Sequence, residues 1–201
     1  MILSIVIPVS NVEKYIEKCL LSCIHQDVSY NDYEIIVVND GSLDNSLTIA
    51  ERITSSLINV RIVSQPNLGL SAARNKGLSL VRGEFVWFID SDDWIEENSL
   101  GRIISMLKNQ IDILQLQYRK VYENGRPNVE VPFCFVDGTK SGEEMILLGG
   151  LPAPAQFSIY RTEFLRTNSL RFYEGILHED SEFKPRATYL AKSIIFDTKI
   201  S

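Results

Sequence analysis

Two hydrophobic periods alternate through the first 110 residues, and together they leave few folds open. Residues 2–9 are a nearly unbroken apolar run, the pattern of a strand buried on both faces of a parallel sheet. Val12, Tyr15, Ile16, Cys19, Leu20, Cys23 and Ile24 then fall on one stripe of a helix. The pair repeats. A strand at 34–38 precedes a helix at 45–57, for which Asp44 is a candidate N-cap, and a third strand follows at 60–63. Beyond the loop 64–69 comes a helix at 71–81, stopped by Gly83, then a strand at 84–89. A helix at 96–108 has Leu100, Ile103, Ile104 and Leu107 on its inner face. This order predicts an α/β protein with a doubly wound, mostly parallel sheet and helices on both faces.

Past residue 110 the pattern changes. Residues 111–122 and 129–136 read as strands joined by a turn at Asn124-Gly125, so a smaller antiparallel part is expected in the C-terminal half. Gly149, Gly150, Pro152 and Pro154 break the chain before a strand at 156–161. A helix at 181–191 and a short strand at 193–196 follow.

Charge and composition exclude several functions. The 201 residues carry 26 Asp and Glu against 20 Lys and Arg, a net charge of −6, which argues against a nucleic-acid or anionic-membrane partner. Three cysteines without His/Cys ligand spacing fit neither a disulfide framework nor a zinc site. Residues 2–9 lack the basic flank and cleavage site of a signal peptide, and no stretch approaches the ~20 apolar residues that cross a bilayer. No transmembrane segment is expected.

In an open α/β sheet, ligands bind outside the carboxyl ends of the strands. The four candidate segments there are Ser10-Asn11, Asn39-Asp40-Gly41-Ser42, Gln65-Pro66-Asn67 and Asp90-Ser91-Asp92-Asp93. The first three also read as ordinary turns and caps. The fourth is harder to explain, because three carboxylates within four residues leave a buried strand end and repel each other. A helix dipole would accommodate one or two acids at about 0.3–1 kcal/mol each, but not Asp90, Asp92, Asp93, Glu96 and Glu97 together. A divalent cation carrying a diphosphate accounts for them economically, with a solvated acidic cap as the alternative. After the first strand there is no Gly-x-Gly-x-x-Gly, and no Gly-x-x-x-x-Gly-Lys-Ser/Thr occurs anywhere, so dinucleotide oxidoreductases and P-loop NTPases are excluded.

Four segments in register carry a resemblance. Ile5-Val6-Ile7-Pro8-Val9-Ser10-Asn11, Val37-Val38-Asn39-Asp40-Gly41-Ser42-Leu43-Asp44, Asn67-Leu68-Gly69-Leu70-Ser71-Ala72-Ala73-Arg74-Asn75-Lys76-Gly77 and Phe88-Ile89-Asp90-Ser91-Asp92-Asp93 resemble the successive signatures of the family 2 glycosyltransferases, which have the GT-A fold. His178-Glu179-Asp180-Ser181-Glu182-Phe183 is similar to the later Glu-Asp motif of that family. The stretch between about 111 and 150 matches poorly.

The resemblance implies transfer of a sugar from a nucleotide-diphosphate donor to a hydroxyl acceptor, with inversion and with Mn2+ or Mg2+. Residue by residue, it implies that Pro8, Val9 and Asn11 line the base pocket. Asp40 would bond the base with Ser42 near it, and Arg74 would meet the diphosphate. Asp90 would contact the ribose and the metal, Asp92 would be the main metal ligand, and Asp180 the general base. Ser10 departs from the pattern, in which a Tyr precedes the Asn. The residues alone leave alternatives open: Asp180 as a first-turn helix acid, Arg74 as a surface cation, Glu179 as a fallback base, and His178 as a metal contact or a turn cap. Cys19, Cys23 and Trp87 read as core, and Trp94 as a border of the donor sugar.

The reading is thus an inverting, metal-dependent glycosyltransferase of the hexosyltransferase type with a UDP-sugar as leading donor. It acts on a carbohydrate or lipid-linked acceptor in cell-surface or exported polysaccharide synthesis, from the cytoplasm or the inner membrane face. One continuous domain is expected, with residues 1–110 as the nucleotide-sugar-binding half and 111–201 as the acceptor-side half. Only 21 residues follow Asp180, fewer than such proteins usually carry, so a C-terminally shortened chain is expected. The rival readings are a nucleotidyltransferase making a nucleotide sugar and a non-catalytic nucleotide-sugar-binding domain.

Overall fold

The computed structural model describes residues 1–107, 110–122, 124–131, 138–152 and 154–200. The first half folds as strand and helix in turn: β1 (Leu3–Val9), α1 (Ile16–Ile24), β2 (Tyr33–Asp40), α2 (Ser46–Thr54), β3 (Val60–Gln65), α3 (Leu70–Leu80), β4 (Phe85–Phe88) and α4 (Leu100–Leu107). The second half adds β5 (Ile113–Gln117), β6 (Arg119–Lys120), β7 (Val129–Glu130), α5 (Gly142–Leu147), β8 (Ser158–Arg161), α6 (Thr162–Thr167), α7 (Glu179–Leu190) and β9 (Ile194–Ile200). A seven-stranded sheet runs in the order β3-β2-β1-β4-β8-β5-β9. Pairing is parallel except where β8 lies antiparallel between β4 and β5. The expected doubly wound, mostly parallel sheet is therefore the one observed.

Every residue of β1 and β2 is buried, as central parallel strands covered on both faces require. Alternate side chains feed two cores. Leu3, Ile5 and Ile7 pack with Ile16, Leu20 and Cys23 of α1, Ala50 of α2 and Leu100 and Ile103 of α4. On the opposite face Val6, Ile36 and Val38 meet Ala73 and Leu78 of α3 and Phe183 and Ala187 of α7. Ser4, the polar residue in the first apolar run, donates to Glu34 Oε1 at 2.7 Å and accepts from the Gly83 backbone at 2.9 Å. Its hydroxyl therefore ties β1 to β2 and to the turn before β4.

Three expectations change. The helix expected at 96–108 begins only at Leu100, because Gln26 Oε1 accepts the Ser99 and Leu100 N–H groups (2.9 and 3.1 Å) and Asp27 Oδ1 accepts that of Gly101 (2.9 Å). The caps come from beyond α1, and Lys108 lies outside the described residues. The strand expected at 111–122 divides at Tyr118, whose ring stacks on Phe157 with centroids 3.5 Å apart. Before that point β5 belongs to the main sheet; after it, β6 pairs antiparallel with β7. The remainder of the strand expected at 129–136 is outside the described residues from 132 on. At 156–161, a single 3-10 turn (Ala155–Phe157) takes the first two positions, and β8 begins at Ser158.

Two short helices were not expected from the pattern. α5 opens with a capping box, Ser141 and Glu144 each accepting the other's backbone N–H, and α6 is one and a half turns long. No helix among the described residues is long and apolar enough to cross a membrane.

The close approach of α3 to β1 depends on Gly77, where an added Cβ would sit 2.2 Å from Val6 Cγ1. Gly77→Ala should lower the unfolding free energy by about 1–3 kcal/mol in urea titrations, and Val6→Ala in the same chain should recover part of the loss.

Candidate active site

The carboxyl ends of β1, β2, β3 and β4 converge, as the parallel order demands. At the first two, the loops are stitched together. Asn11 adopts a left-handed φ of 54°, its Oδ1 accepts the Leu43 N–H (2.8 Å), and its own N–H donates to Ser42 Oγ (3.2 Å). Pro8 and Val9 precede it as buried residues of β1, and the Ser10 hydroxyl donates to the Asp40 carbonyl at 3.4 Å. Pro8, Val9, Asn11, Asp40 and Ser42 thus lie on two neighbouring strand ends.

Asp40 is only 2 % exposed and already holds the next loop. Its Oδ1 accepts the Leu68 N–H and the Gln65 side chain, both at 2.8 Å, and its Oδ2 accepts the Gly69 N–H at 2.8 Å. Gly69, at φ 91°, is the residue that leads into α3. One carboxylate therefore fixes the start of α3, and with it the position of Arg74 one turn later.

Arg74 joins the two halves of the chain. It is fully buried, and its guanidinium bonds Asp90 Oδ1 through Nη2 (2.6 Å) and Glu179 Oε1 and Asp180 Oδ1 through Nη1 (2.7 and 2.9 Å). Phe172 lies beneath it, 5.0 Å from ring centroid to guanidinium carbon. Arg74 was expected to meet a diphosphate; in this structure its terminal nitrogens are occupied by three carboxylates drawn from the segment after β4 and from α7. Burial acts to lower its pKa, but the neighbouring Asp90 and Asp180 outweigh that and raise it, so the guanidinium stays charged. Asp180 is held above the ordinary carboxylate range by burial first and by Glu179 and Asp90 next, with Arg74 opposing. His178 adopts φ 59° ahead of α7, and its side chain caps nothing.

Asp92 and Asp93 face another way. Since α4 starts eight residues beyond Asp92, the helix-cap explanation for these acids does not hold here. Asp92 is exposed and Asp93 half-buried, and both line a cavity of about 860 Å³ with Trp87, Trp94, Tyr118 and Gln156. Gln156 donates to Asp93 Oδ2 at 3.2 Å, and its carbonyl accepts the Trp87 indole N–H at 2.7 Å. Burial, followed by the charges of Asp90 and Asp92, pushes the Asp93 carboxyl up to about 6. Trp94 also borders this cavity, with the Lys18 ammonium 3.0 Å from its ring centroid. Among the described residues no three His, Cys, Asp or Glu side chains form a ready metal cage. A cation that takes one or two carboxylates and completes its shell with phosphate and water needs no such cage.

Gln156 and Lys184 of this region escaped the sequence reading. Their neighbours in space lie 26 to 69 residues away in the chain, and an isolated Gln or Lys carries no pattern. Cys19 and Cys23 are buried in the core as expected, and the Cys19 thiol reaches the Asp90 carbonyl at 3.7 Å; the third cysteine, Cys134, is outside the described residues.

Comparison with known proteins agrees with this geometry. Residues 4–167 match Glycosyl transferase family 2. The chain belongs to that family. It is 33% identical over 199 residues to the putative glycosyltransferase EpsH of Bacillus subtilis, covering 96% of this chain and 57% of that protein. It is 41% identical over 214 residues to the glycosyltransferase GlyA of Streptococcus pneumoniae, covering 98% and 29%. Among solved structures, Staphylococcus aureus TarS 1-349 in complex with UDP-GlcNAc superposes with a TM-score of 0.86 at 29% identity, over 100% of this chain and 57% of that one. This family 2 chain therefore spans about half or less of the length of these relatives. It shares the GT-A fold of TarS.

Removing the charge that joins the three acids should be felt in stability as well as in function. Arg74→Met should lower the unfolding free energy by about 3–5 kcal/mol near neutral pH, because it leaves carboxylates unpaired in a largely buried setting. Without Arg74, which opposes the rise that burial causes, the Asp180 carboxyl titrates further above its unfolded value, so the deficit should shrink as the pH falls toward about 5. Urea titrations across that range read both effects.

Proposed function

We propose that this chain is the donor-binding and catalytic part of an inverting, metal-dependent glycosyltransferase that uses a UDP-sugar. The observation that carries the reading is the Arg74 junction, which holds a strand-end acid of the donor half, Asp90, against Asp180 of α7. A transfer with inversion needs a donor leaving group on one side of the sugar and a proton acceptor on the other; in this reading Asp90 belongs to the donor side and Asp180 is the acceptor of the proton. The relation to TarS, solved with UDP-GlcNAc and with UDP, supports the uridine donor.

Each residue then has a task. Pro8, Val9, Asn11 and Ser42 shape the base pocket, and Asp40 holds its floor and offers its second oxygen, which still has a free lone pair, to the base. Asp90 meets the ribose. Arg74 is the organiser of the acids rather than a phosphate ligand. Its single positive charge against Asp90, Glu179 and Asp180, with Asp92 and Asp93 nearby, leaves the site strongly negative, and an incoming diphosphate adds to that. The acids therefore fit a divalent cation, Mn2+ or Mg2+, held chiefly by Asp92 with Asp90 as the second ligand. Such an ion supplies Lewis-acid stabilisation of the charge that develops on the departing diphosphate. A mannosyltransferase of the same fold from Pyrobaculum calidifontis, 16% identical with a TM-score of 0.71, was solved with GDP-Man and Mn2+.

In the transfer step the acceptor oxygen bonds to the anomeric carbon as the carbon–oxygen bond to the diphosphate breaks, and UDP leaves with the electron pair. The acceptor proton passes to the Asp180 carboxylate. Its raised pKa suits a base that takes up a proton in the reaction. The cavity beside Asp92 and Asp93 takes the donor sugar, with Trp94 as one wall. Relatives that glycosylate poly(ribitol-phosphate) support an acceptor in cell-envelope polymer synthesis.

Two measurements test this. Mn2+ with UDP should raise the melting temperature, and Asp92→Ala should abolish the rise; an equal rise in the variant removes Asp92 from the metal site. Asp180→Asn should keep UDP binding and lose transfer by at least about a hundredfold, measured as UDP release with an acceptor panel. Normal turnover by that variant moves the base to Glu179 or elsewhere.

A further inference from the structure

The last rung of the β2–β3 ladder pairs Asp40 with Gln65, so strand register sets these two side chains beside each other on one face of the sheet. Gln65 Nε2 donates to Asp40 Oδ1 at 2.8 Å. The reverse orientation of the amide would set its oxygen against a carboxylate oxygen, acceptor on acceptor. A carboxylate has about four accepting positions. Gln65 and the Leu68 N–H fill those of Oδ1, and the Gly69 N–H takes one on Oδ2, so the open position is on Oδ2. The loop that supplies these N–H groups is closely packed, since a Cβ on Gly41 would sit 2.8 Å from the Asn67 nitrogen.

Gln65 is half-buried, and the second N–H of its amide has no acceptor among the described residues. The fold does not require this amide. Two backbone bonds hold the loop to Asp40 without it, and β3 is an edge strand. An open acceptor on Asp40 and an open donor on Gln65 thus stand on adjacent side chains at the carboxyl end of the sheet. We propose that the two read the donor base as a pair, Asp40 Oδ2 accepting a ring N–H and Gln65 Nε2 donating to the carbonyl beside it, and that Gln65 is a residue that sets base specificity. The proposal rests on the reading of Asp40 as the base contact. Uracil offers this order, with N3–H between two carbonyls, and guanine offers it with N1–H and O6. Cytosine and adenine offer the reverse, a bare ring nitrogen beside an amino group. Either would set acceptor against acceptor and donor against donor, and leaving such groups unpaired costs more than one bond gains.

The test is calorimetric titration of nucleotides into the full chain with Mn2+ present. Wild type should bind UDP at least about tenfold more tightly than CDP. Gln65→Met keeps the length of the side chain without the donor, and should weaken UDP by about three- to tenfold while leaving CDP unchanged. Sulfur accepts hydrogen bonds more weakly than oxygen. One of 2-thio-UDP and 4-thio-UDP should therefore bind wild type less tightly than UDP, and that difference should vanish in the Met variant. Equal losses for UDP, CDP and both thio analogues in Gln65→Met make Gln65 a support of the loop and overturn the proposal. The wild-type comparisons need no variant: if Gln65→Met does not fold, indifference of wild type to both sulfur replacements overturns it as well. 3-Methyl-UDP, which lacks the N3–H, probes Asp40 separately. If it binds weakly while both thio analogues bind like UDP, Asp40 stands as the base contact and Gln65 falls; if it binds like UDP, Asp40 is removed from the base and the proposal with it.

Discussion

The buried guanidinium of Arg74 is the interaction on which the rest of the site depends. Asp90, Glu179 and Asp180 come from segments about ninety residues apart, and like charges at such separations repel unless a cation stands between them. Arg74 supplies a planar fork whose terminal nitrogens reach both sides at once, which the point charge of a lysine could not do. Its placement is set by earlier steps: the Asp40 carboxylate fixes the loop that begins α3, and Gly77 lets α3 lie against β1 closely enough for Arg74 to be buried.

The site has an inner and an outer part with different electrostatics. Inside, Arg74 bonds Asp90, Glu179 and Asp180 directly. Outside, Asp92 and Asp93 face an open cavity rimmed by aromatic rings, with no cation of the described residues bonded to them. The first part is suited to holding a fixed geometry, and the second to accepting a charged ligand. In the proposed transfer that division matches the two tasks, positioning a base and receiving a metal-bound diphosphate sugar.

The α/β alternation was legible because each central strand is buried on both faces and each helix on one, so burial writes itself into the sequence as runs and stripes. The second half was less legible for the same reason. β5 and β8 are strands of the main sheet, but residues 111–122 look like one strand because the point at which the chain leaves the sheet is set by Tyr118 stacking on Phe157, a contact between distant residues. The start of α4 was misplaced because its caps, Gln26 and Asp27, belong to another part of the chain. The Ser141–Glu144 capping box, by contrast, was present in the sequence as Ser-x-x-Glu and could have been read.

By itself, the sequence determined the class of fold, the strand ends where chemistry would gather, and the family signatures at Asp40, Arg74, Asp90, Asp92 and Asp180, because these follow from local period and local motif. Only the tertiary structure decided what those residues touch. It placed Arg74 at the buried junction of three acids, separated Asp92 and Asp93 from any helix cap, and tied Lys184 of α7 to Gln115 and Ser158 of the sheet. Those are consequences of contacts across many tens of residues, and no local pattern encodes a partner that far away.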